Sequence, residues 1–200
     1  NIDLSLHWRA GANRFKVGVF DGRFSNYILL AATGEPDQIN DAGDSVPIFA
    51  FKGVRARLYG FEAEGTWRAW SGGGHVDIDA KLDLVRGTNQ DTGEALPRQP
   101  PVRATLGANW QQGAWSARAE VQRAGAQKRV PSSDEVTPGW TLFNVAVGYA
   151  LNLGAQDALL YAKLQNVGNT LAYNAGTVGT LRKLSPLPGR GLTVDMRVAF

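Results

Sequence analysis

The amino-acid sequence predicts an all-β protein, and more specifically a transmembrane antiparallel β-barrel. Three observations support this prediction: apolar and polar residues alternate with a period of two almost throughout the 200 residues, short turns alternate with long connections, and tryptophans collect beside the short turns. The longest apolar runs, such as "LYGF" and "ALLYA", are far shorter than the roughly 18 residues that a membrane-spanning helix needs. Only strands could therefore carry the chain across a membrane.

The period-two alternation predicts nine strands, at 2–9, 14–30, 54–70, 75–88, 102–111, 114–127, 139–151, 158–167 and 190–200. The segment "HVDIDAKLDL" shows the pattern most clearly. One side is apolar, with Val76, Ile78, Ala80, Leu82 and Leu84, and the other is charged, with Asp77, Asp79, Lys81 and Asp83. Each strand thus has two faces of opposite character.

The connections between these strands fall into two length classes. Four are tight turns, "AGAN", "SGGG", "QQGA" and "NLGAQD", whereas the segments near 31–53, 89–101, 128–138 and 168–189 are long and rich in Gly, Pro, Asp, Asn and Thr. Outer-membrane barrels have short periplasmic turns and long extracellular loops. The sequence therefore predicts that the two classes lie at opposite ends of the sheet.

The "SGGG" turn fixes a register that can be tested. A four-residue turn with Gly72 and Gly73 at its centre would pair Trp70 with His75. The same register sets Arg68 opposite Asp77, Glu64 opposite Lys81 and Trp67 opposite Ile78. We expect opposite charges to meet on the polar face and apolar residues to meet on the lipid side.

Aromatic residues lie close to the short turns, and the set is Trp8, Trp70, Trp110, Trp115 and Tyr149. Trp140, in contrast, lies beside a long loop. Amphipathic rings collect at membrane–water boundaries, so this distribution predicts a periplasmic aromatic girdle.

Desolvation decides which face meets lipid, because an Arg or Lys at the bilayer midplane costs about 2–4 kcal/mol. The charged face must then line a polar lumen. The residues predicted to face the lumen are Glu62, Glu64, Arg68, Asp77, Lys81, Arg103, Arg118, Glu120, Lys163, Asp195 and Arg197.

Composition argues against several other functions. The 21 basic and 18 acidic residues give a net charge of +3 and are interspersed, so nucleic-acid binding is not expected. Without cysteine there is no disulfide or thiolate site, and the lone histidines His7 and His75 do not indicate a metal centre. No catalytic triad is recognisable, so neither enzymatic activity nor a cofactor is expected.

The loop "GEPDQINDAGD" allows two interpretations. Its acidic residues, Glu35, Asp37, Asp41 and Asp44, could supply oxygen ligands to a hard cation, but their spacing lacks the order of a dedicated calcium loop. A solvated extracellular loop is the favoured interpretation.

Several segments, in their order along the chain, resemble the barrel of the TonB-dependent outer-membrane receptors. "FSNYILLAATG" followed by "PIFAFKGVRARLYGFEAEGTW" contains a Gly-x-Glu element at Gly60 and Glu62, and "LPRQPPVRATLGANW" contains a Pro-Arg-x-Pro-Pro element beginning at Pro97. "PGWTLFNVAVGY", "AKLQNVGNTLAY" and "PGRGLTVDMRVAF" resemble the last three strands of the family, with Asn166 in its asparagine element and Phe200 as its terminal aromatic residue.

The resemblance implies a barrel of roughly 22 strands with a plugged lumen, of which this chain would supply the last nine. It also implies an outer-membrane location in a Gram-negative bacterium, contact with outer-membrane lipid, and energy-coupled uptake of a scarce nutrient such as a metal, a metal chelate or haem. The plug and the segment that contacts the TonB complex are expected to precede this chain in a longer gene product. Phe200 is expected to be the signal that the outer-membrane assembly machinery recognises.

Two alternatives to an uptake receptor remain open at this stage. One is a smaller porin or anchoring barrel without TonB coupling, and the other is a barrel enzyme, for which no triad is found. If the protein is a receptor, its long loops and lumen should contact the small-molecule or metal-chelate substrate. The residues predicted to bind it are Tyr27, Asp37, Asp44, Asp91, Glu94, Asp134 and Tyr173.

Overall fold

The structure is a computed structural model that describes residues 1–154 and 156–199. Its elements, in chain order, are β1 (Ile2–Ala10), β2 (Asn13–Ala32), β3 (Gln38–Ile39), β4 (Ser45–Val46), β5 (Phe49–Ser71), β6 (His75–Asn89), β7 (Arg103–Gln112), β8 (Trp115–Ala124), β9 (Trp140–Asn152), β10 (Asp157–Gln165), α1 (Gly179–Arg182) and β11 (Gly191–Val198).

Nine of these strands form one antiparallel sheet in the order β1-β2-β5-β6-β7-β8-β9-β10-β11. All nine predicted strands are confirmed, and the short turns lie at one end of the sheet while the long connections lie at the other. The alternation predicted β5 from residue 54, but the strand begins at Phe49, where it pairs with Ala32 at the end of β2. The small hairpin β3–β4 and the single turn of α1 were not predicted, because two to four residues are too few to show a period.

The register places the apolar residues of successive strands on one common face, here called the outer face. Many of its large side chains are exposed: Leu6 is 72% exposed, Leu106 52% and Val194 62%. A water-soluble sheet would cover such a face with a second layer. Its exposure here is the arrangement that a lipid-facing surface requires.

The predicted pairing at the "SGGG" turn is partly wrong. Trp70 lies opposite Val76 and not His75, which pairs with Ser71, and a β-bulge follows between Arg68 and Trp70. Beyond the bulge the predicted pairs Arg68–Asp77 and Trp67–Ile78 are present, as is Glu64–Lys81. The bulge adds one residue to β5, and this extra residue brings Trp67 and Trp70 onto the same outer face.

The other girdle residues also lie on the outer face, beside the short turns. Trp8 contacts Phe15 with ring centroids 5.4 Å apart, and Trp115 contacts Tyr149 at 4.5 Å. Trp110 lies opposite Val76. The sequence therefore located the aromatic band at the short-turn end correctly.

A small buried core forms at the long-loop end of β2 and β5, on the inner face. Leu29, Ala56 and Leu96 are buried there, and Tyr27 and Leu58 pack against them. Leu96 comes from the connection after β6 and covers the inner side of the sheet. Within the described residues, no helix is long and apolar enough to cross a membrane.

Candidate functional site

The inner face carries a charged network centred on Arg118 of β8. The Arg118 guanidinium donates to Asp79 Oδ1 and Oδ2 at 2.8 and 2.9 Å and also to Glu120 Oε2. Glu120 Oε1 in turn accepts hydrogen bonds from Gln122 at 2.7 Å and from Asn144 at 3.2 Å. The network joins β6, β8 and β9 and leaves few of its polar atoms without a partner.

Further ion pairs cross neighbouring strands on the same face. Arg68 pairs with Asp77, Arg103 Nε lies 2.9 Å from Asp83 Oδ2, and Lys81 Nζ lies 3.8 Å from Glu64 Oε2. The strand register places every residue predicted to face the lumen on this inner face, namely Glu62, Glu64, Arg68, Asp77, Lys81, Arg103, Arg118, Glu120, Lys163, Asp195 and Arg197. That this face lines a closed lumen stays a prediction.

A groove of about 330 Å³ lies on the inner face beneath the long connections. Its walls include Arg103, Gln122, Trp140 and Tyr173, and the Pro100–Pro101 step lies at its rim. Trp140 Nε1 donates to the Tyr173 carbonyl at 3.0 Å, which fixes the indole against the last long connection. The groove thus combines an aromatic wall with a guanidinium and a side-chain amide.

Two buried side chains hold the long connections above this groove. Arg182 of α1 binds both carboxylate oxygens of Asp134 at 2.9 and 3.0 Å and donates to the Glu135 carbonyl at 2.9 Å. Asn166, which has a positive φ of 46°, donates to the carbonyls of Thr170 and Pro188 at 2.9 and 3.1 Å. Both ends of the 166–190 connection are therefore anchored.

The sequence of residues 1–167 matches the family model described as "TonB dependent receptor-like, beta-barrel". The chain belongs to the TonB-dependent receptor family. Members of this family are outer-membrane proteins of Gram-negative bacteria and are transporters, not enzymes. No curated protein sequence matches the chain.

Solved receptor structures share the fold of this receptor chain at low sequence identity. The copper transporter OprC is 20% identical with a TM-score of 0.81 over 97% of this chain. A ferric enterobactin receptor of Pseudomonas aeruginosa (PfeA), in complex with enterobactin, is 18% identical with a TM-score of 0.66 over 97% of this chain. The pyoverdine outer membrane receptor FpvA of P. aeruginosa PAO1, bound to pyoverdine, is 16% identical with a TM-score of 0.63 over 99%.

This receptor chain spans only part of those proteins: it covers 30% of OprC, 30% of PfeA and 29% of FpvA. The likeness extends along nearly all of the chain. At these identities the likeness shows the fold, and copper, enterobactin and pyoverdine are the ligands of those proteins.

The residues predicted to bind substrate in this receptor are spread over several loops and strand β2. Tyr173 lines the groove, whereas Tyr27 packs beside Phe24 and the small core. Asp37 accepts a hydrogen bond from Ser45 Oγ at 2.6 Å, and Asp44 accepts one from Asn40 Nδ2 at 3.3 Å, both at the β3–β4 hairpin. Glu94 accepts from the Ser132 N–H at 3.2 Å. The structure therefore does not bring the seven together at one site, and their contact with substrate stays a prediction.

Asp91 and Asp134 each form an ion pair with an arginine of this chain. The Arg55 guanidinium donates to Asp91 Oδ1 at 2.6 Å and the Arg55 N–H donates to Oδ2 at 2.8 Å. These bonds, the guanidinium bond foremost, hold the pKa of the Asp91 carboxyl below its usual range. Asp134 pairs with Arg182 and its side chain is 10% exposed. The negative charge of either carboxylate is therefore already balanced by an arginine of this chain.

No group of three or more potential metal-ligating residues occurs among residues 1–154 and 156–199. His75 Nε2 lies 3.8 Å from Asp77 Oδ2, and His7 lies on β1 opposite Lys16. Of the acidic loop residues, Asp37 and Asp44 accept hydrogen bonds from Ser45 and Asn40. Phe200, predicted as the assembly signal, lies outside the described residues.

The sequence analysis did not predict the structural roles of Arg182 and Trp140. Arg182 makes contacts 48 residues away in sequence, which no local pattern encodes. Trp140 lies beside a long loop, and this position in the sequence indicates that it is not part of the short-turn girdle.

Proposed function

We propose that the protein is an outer-membrane receptor for energy-coupled uptake of a scarce nutrient, in the class of metals, metal chelates and haem. The observation that supports this most strongly is the family match over residues 1–167, together with the polar inner face. OprC, PfeA and FpvA are named for copper, ferric enterobactin and pyoverdine, and these ligands suggest the substrate class.

The groove chemistry favours an organic chelate over a bare cation. A bare metal ion needs several carboxylate, imidazole or thiolate ligands at one point. The groove instead offers the indole of Trp140 and the guanidinium of Arg103, which suit stacking and anion recognition. Asp83, the acid at its edge, is paired with Arg103 at 2.9 Å. An anionic or aromatic metal chelate fits these groups best.

Within the whole receptor, we propose that this chain forms the last nine strands of a barrel of roughly 22. Coupling to the TonB complex would pass through a plug and an N-terminal segment encoded elsewhere in the gene. The terminal strand with Phe200 would be presented to the outer-membrane assembly machinery, and the outer face would contact lipid. The family match favours this architecture over a smaller porin or anchoring barrel.

Uptake in cells tests this proposal. A strain that lacks the gene should accumulate less of one radiolabelled metal chelate or of haem under nutrient limitation, and a strain without TonB should show the same defect. Unchanged accumulation of every chelate in the gene deletion would contradict the proposal.

Two substitutions test whether the substrate binds in the groove. Arg103→Gln and Trp140→Ala should weaken substrate binding by about 10-fold or more, as expected where a bound substrate covers an arginine or a tryptophan. The matched control is Arg9→Gln, which removes an inner-face arginine at the opposite, short-turn end of the sheet. Equal effects of Arg103→Gln and Arg9→Gln would show that the groove is not the binding surface.

A further inference from the structure

Arg98 has a backbone conformation that is unusual for an arginine. Within residues 1–154 and 156–199, a positive φ outside glycine occurs at Arg98, with 57°, at Asn166, with 46°, and at Asn169, with 50°. Asparagine adopts this left-handed region more readily than most residues, because its short side chain can form local hydrogen bonds. Both asparagines form such bonds, and Asn169 Oδ1, for example, accepts one from the Arg190 N–H at 3.0 Å. An arginine does not have this advantage.

The sequence places Arg98 at a turn position that favours glycine. Residues 97 and 98 are the two central residues of the turn in "LPRQ", with Pro97 second and Arg98 third. A turn with proline in second place and a positive φ in third place follows the type II pattern, in which glycine is preferred at the third residue. A side chain there strains the backbone, since its Cβ crowds a neighbouring carbonyl oxygen. The turn therefore keeps an arginine where a glycine would be less strained.

The residues on either side of Arg98 hold it in this conformation. Leu96 is 1% exposed, and its N–H donates to the Gly87 carbonyl at 3.1 Å. The Gln99 carbonyl accepts a hydrogen bond from Gln127 Nε2 at 2.8 Å. Strained residues persist where their surroundings fix them in this way, and they are concentrated at binding and catalytic sites. Arg98 is therefore a candidate binding residue.

The turn lies at the rim of the groove beneath the long connections. Pro100, two residues after Arg98, lines this groove, and so does Ala175 of the last long connection. Gly176 follows Ala175 and lies close to the turn, because a Cβ on Gly176 would be 3.7 Å from the Arg98 carbonyl oxygen. Arg98 thus lies where two segments of the groove wall meet.

The charge of Arg98 is not balanced by a carboxylate in the part of the chain that the structure describes. Its side chain is exposed there and forms neither an ion pair nor a hydrogen bond with a described residue. In contrast, Arg55, Arg103 and Arg182 at the same end of the sheet each pair with an aspartate. The strain at Arg98 therefore brings no contact that stabilises the fold, and its guanidinium remains available to an external anion.

We propose that Arg98 captures an anionic metal chelate at the rim of the groove, before the chelate reaches Arg103 and Trp140. This inference rests on the proposed uptake function and names the charge of its substrate. An exposed charge at the edge of a binding site accelerates the association of oppositely charged ligands. The planar guanidinium also binds carboxylate or phenolate oxygens in pairs, so a chelate with anionic oxygen atoms fits better than a neutral one.

The stability of one variant tests the strain argument without any chelate. Arg98→Gly should keep or raise the urea midpoint of the whole receptor in lipid vesicles, because it relieves backbone strain and removes no contact. Asn169→Gly is the matched control at a similar φ, and it should lower the midpoint, because the Arg190 N–H loses its partner. A lower midpoint for Arg98→Gly than for the wild type would show that the arginine is there for the fold, and would overturn the proposal.

Association kinetics test the capture role. Stopped-flow tryptophan fluorescence of the purified receptor is recorded with ferric enterobactin and ferric citrate, which are anionic, and with ferrichrome, which is neutral. At low ionic strength Arg98→Gly should slow the association of an anionic chelate about 3-fold or more and leave its dissociation rate unchanged. At about 1 M salt, where charges are screened beyond roughly 3 Å, the two proteins should associate at the same rate. Arg98→Lys should keep most of the wild-type rate.

A charge control separates the position of Arg98 from the net charge of the receptor. Arg23→Gln removes an arginine that is 80% exposed on the outer face, and it should change the association rate little. Equal slowing by Arg23→Gln and Arg98→Gly, or equal slowing of ferrichrome and the anionic chelates by Arg98→Gly, would overturn the proposal. Wild-type rates in Arg98→Gly would overturn it while the uptake function stands. If the wild type binds no anionic chelate and the gene deletion impairs no uptake, the proposed function fails and this inference fails with it.

Discussion

Arg182 and Asp134, which are 48 residues apart in sequence, form a nearly buried ion pair between two long connections. The guanidinium donates to the two carboxylate oxygens at 2.9 and 3.0 Å, and the side chains are 7% and 10% exposed. Because the pair joins the connection after β8 to the one that contains α1, it sets the roof of the inner groove.

Removing one partner of this pair should release the loops. We expect Arg182→Ala to cost about 3–5 kcal/mol locally, since it leaves a buried carboxylate without a counter-charge. Limited proteolysis should then cut residues 166–190 much faster than in the wild type. The neighbouring pair Lys183–Glu135 joins the same connections at 3.1 Å but is 77% and 72% exposed, so Lys183→Ala is the control and should cost at most ~1 kcal/mol. Equal cleavage of the two variants would contradict this role.

The barrel should still fold when Ala69, the extra residue of the β5 bulge, is deleted. Deleting Ala69 would leave Arg68 opposite Asp77 and Trp70 opposite Val76, now in an uninterrupted ladder. The yield of heat-modifiable barrel should stay close to that of the wild type. Deleting Ala63 from the middle of the same strand should abolish it, because half of β5 would turn its charges to lipid at about 2–4 kcal/mol for a midplane arginine. A folded Ala63 deletion would disprove the assigned faces.

Period-two alternation predicts the strands and their faces but not the bulge or the groove. The alternation in 75–84 determined the faces of β6, and the distances between turns located all nine strands of the sheet. The bulge was missed because one extra residue beside a Gly-rich turn can be assigned equally well to the turn or to the strand. The groove was not predicted because its roof depends on Arg182, whose partners lie far away in sequence.

Gly60, in the Gly-x-Glu element, should be intolerant of a side chain. A Cβ at Gly60 would overlap the Phe20 ring opposite it and lie 2.5 Å from the Leu84 carbonyl oxygen. Gly60→Ala should therefore destabilise the barrel by about 1–3 kcal/mol, as overpacking does. Gly18 is also an inner-face strand residue, but the nearest atom to its Cβ position is 3.8 Å away, so Gly18→Ala should be neutral. Urea unfolding of the receptor in lipid vesicles distinguishes the two, and equal midpoints would contradict the packing argument.

The contact between Arg55 and Asp91 should depend on pH in a defined direction. The folded pKa of Asp91 is depressed, so the contact is fully present above the ordinary aspartate pKa of about 3.9 and is lost as the pH falls below that value through the depressed pKa. Hydrogen exchange of residues 90–95 should therefore be slow and constant from neutral pH to about pH 4, after correction for intrinsic rates, and faster below. Asp91→Asn should exchange rapidly throughout. A loop that opens between pH 5 and 7 would contradict the assignment.

The central claim is that the apolar face of this sheet meets lipid while the charged face does not. Because the chain contains no cysteine, single nitroxide labels can be placed at successive positions of β6 through Lys81→Cys, Leu82→Cys, Asp83→Cys and Leu84→Cys, after any cysteines elsewhere in the receptor are replaced. Oxygen concentrates in hydrocarbon, so its collision rate with each label, measured by electron paramagnetic resonance in native-like bilayers, reports lipid contact. The structure predicts high rates at 82 and 84 and low rates at 81 and 83. High rates at 81 and 83, or equal rates at all four positions, would contradict it.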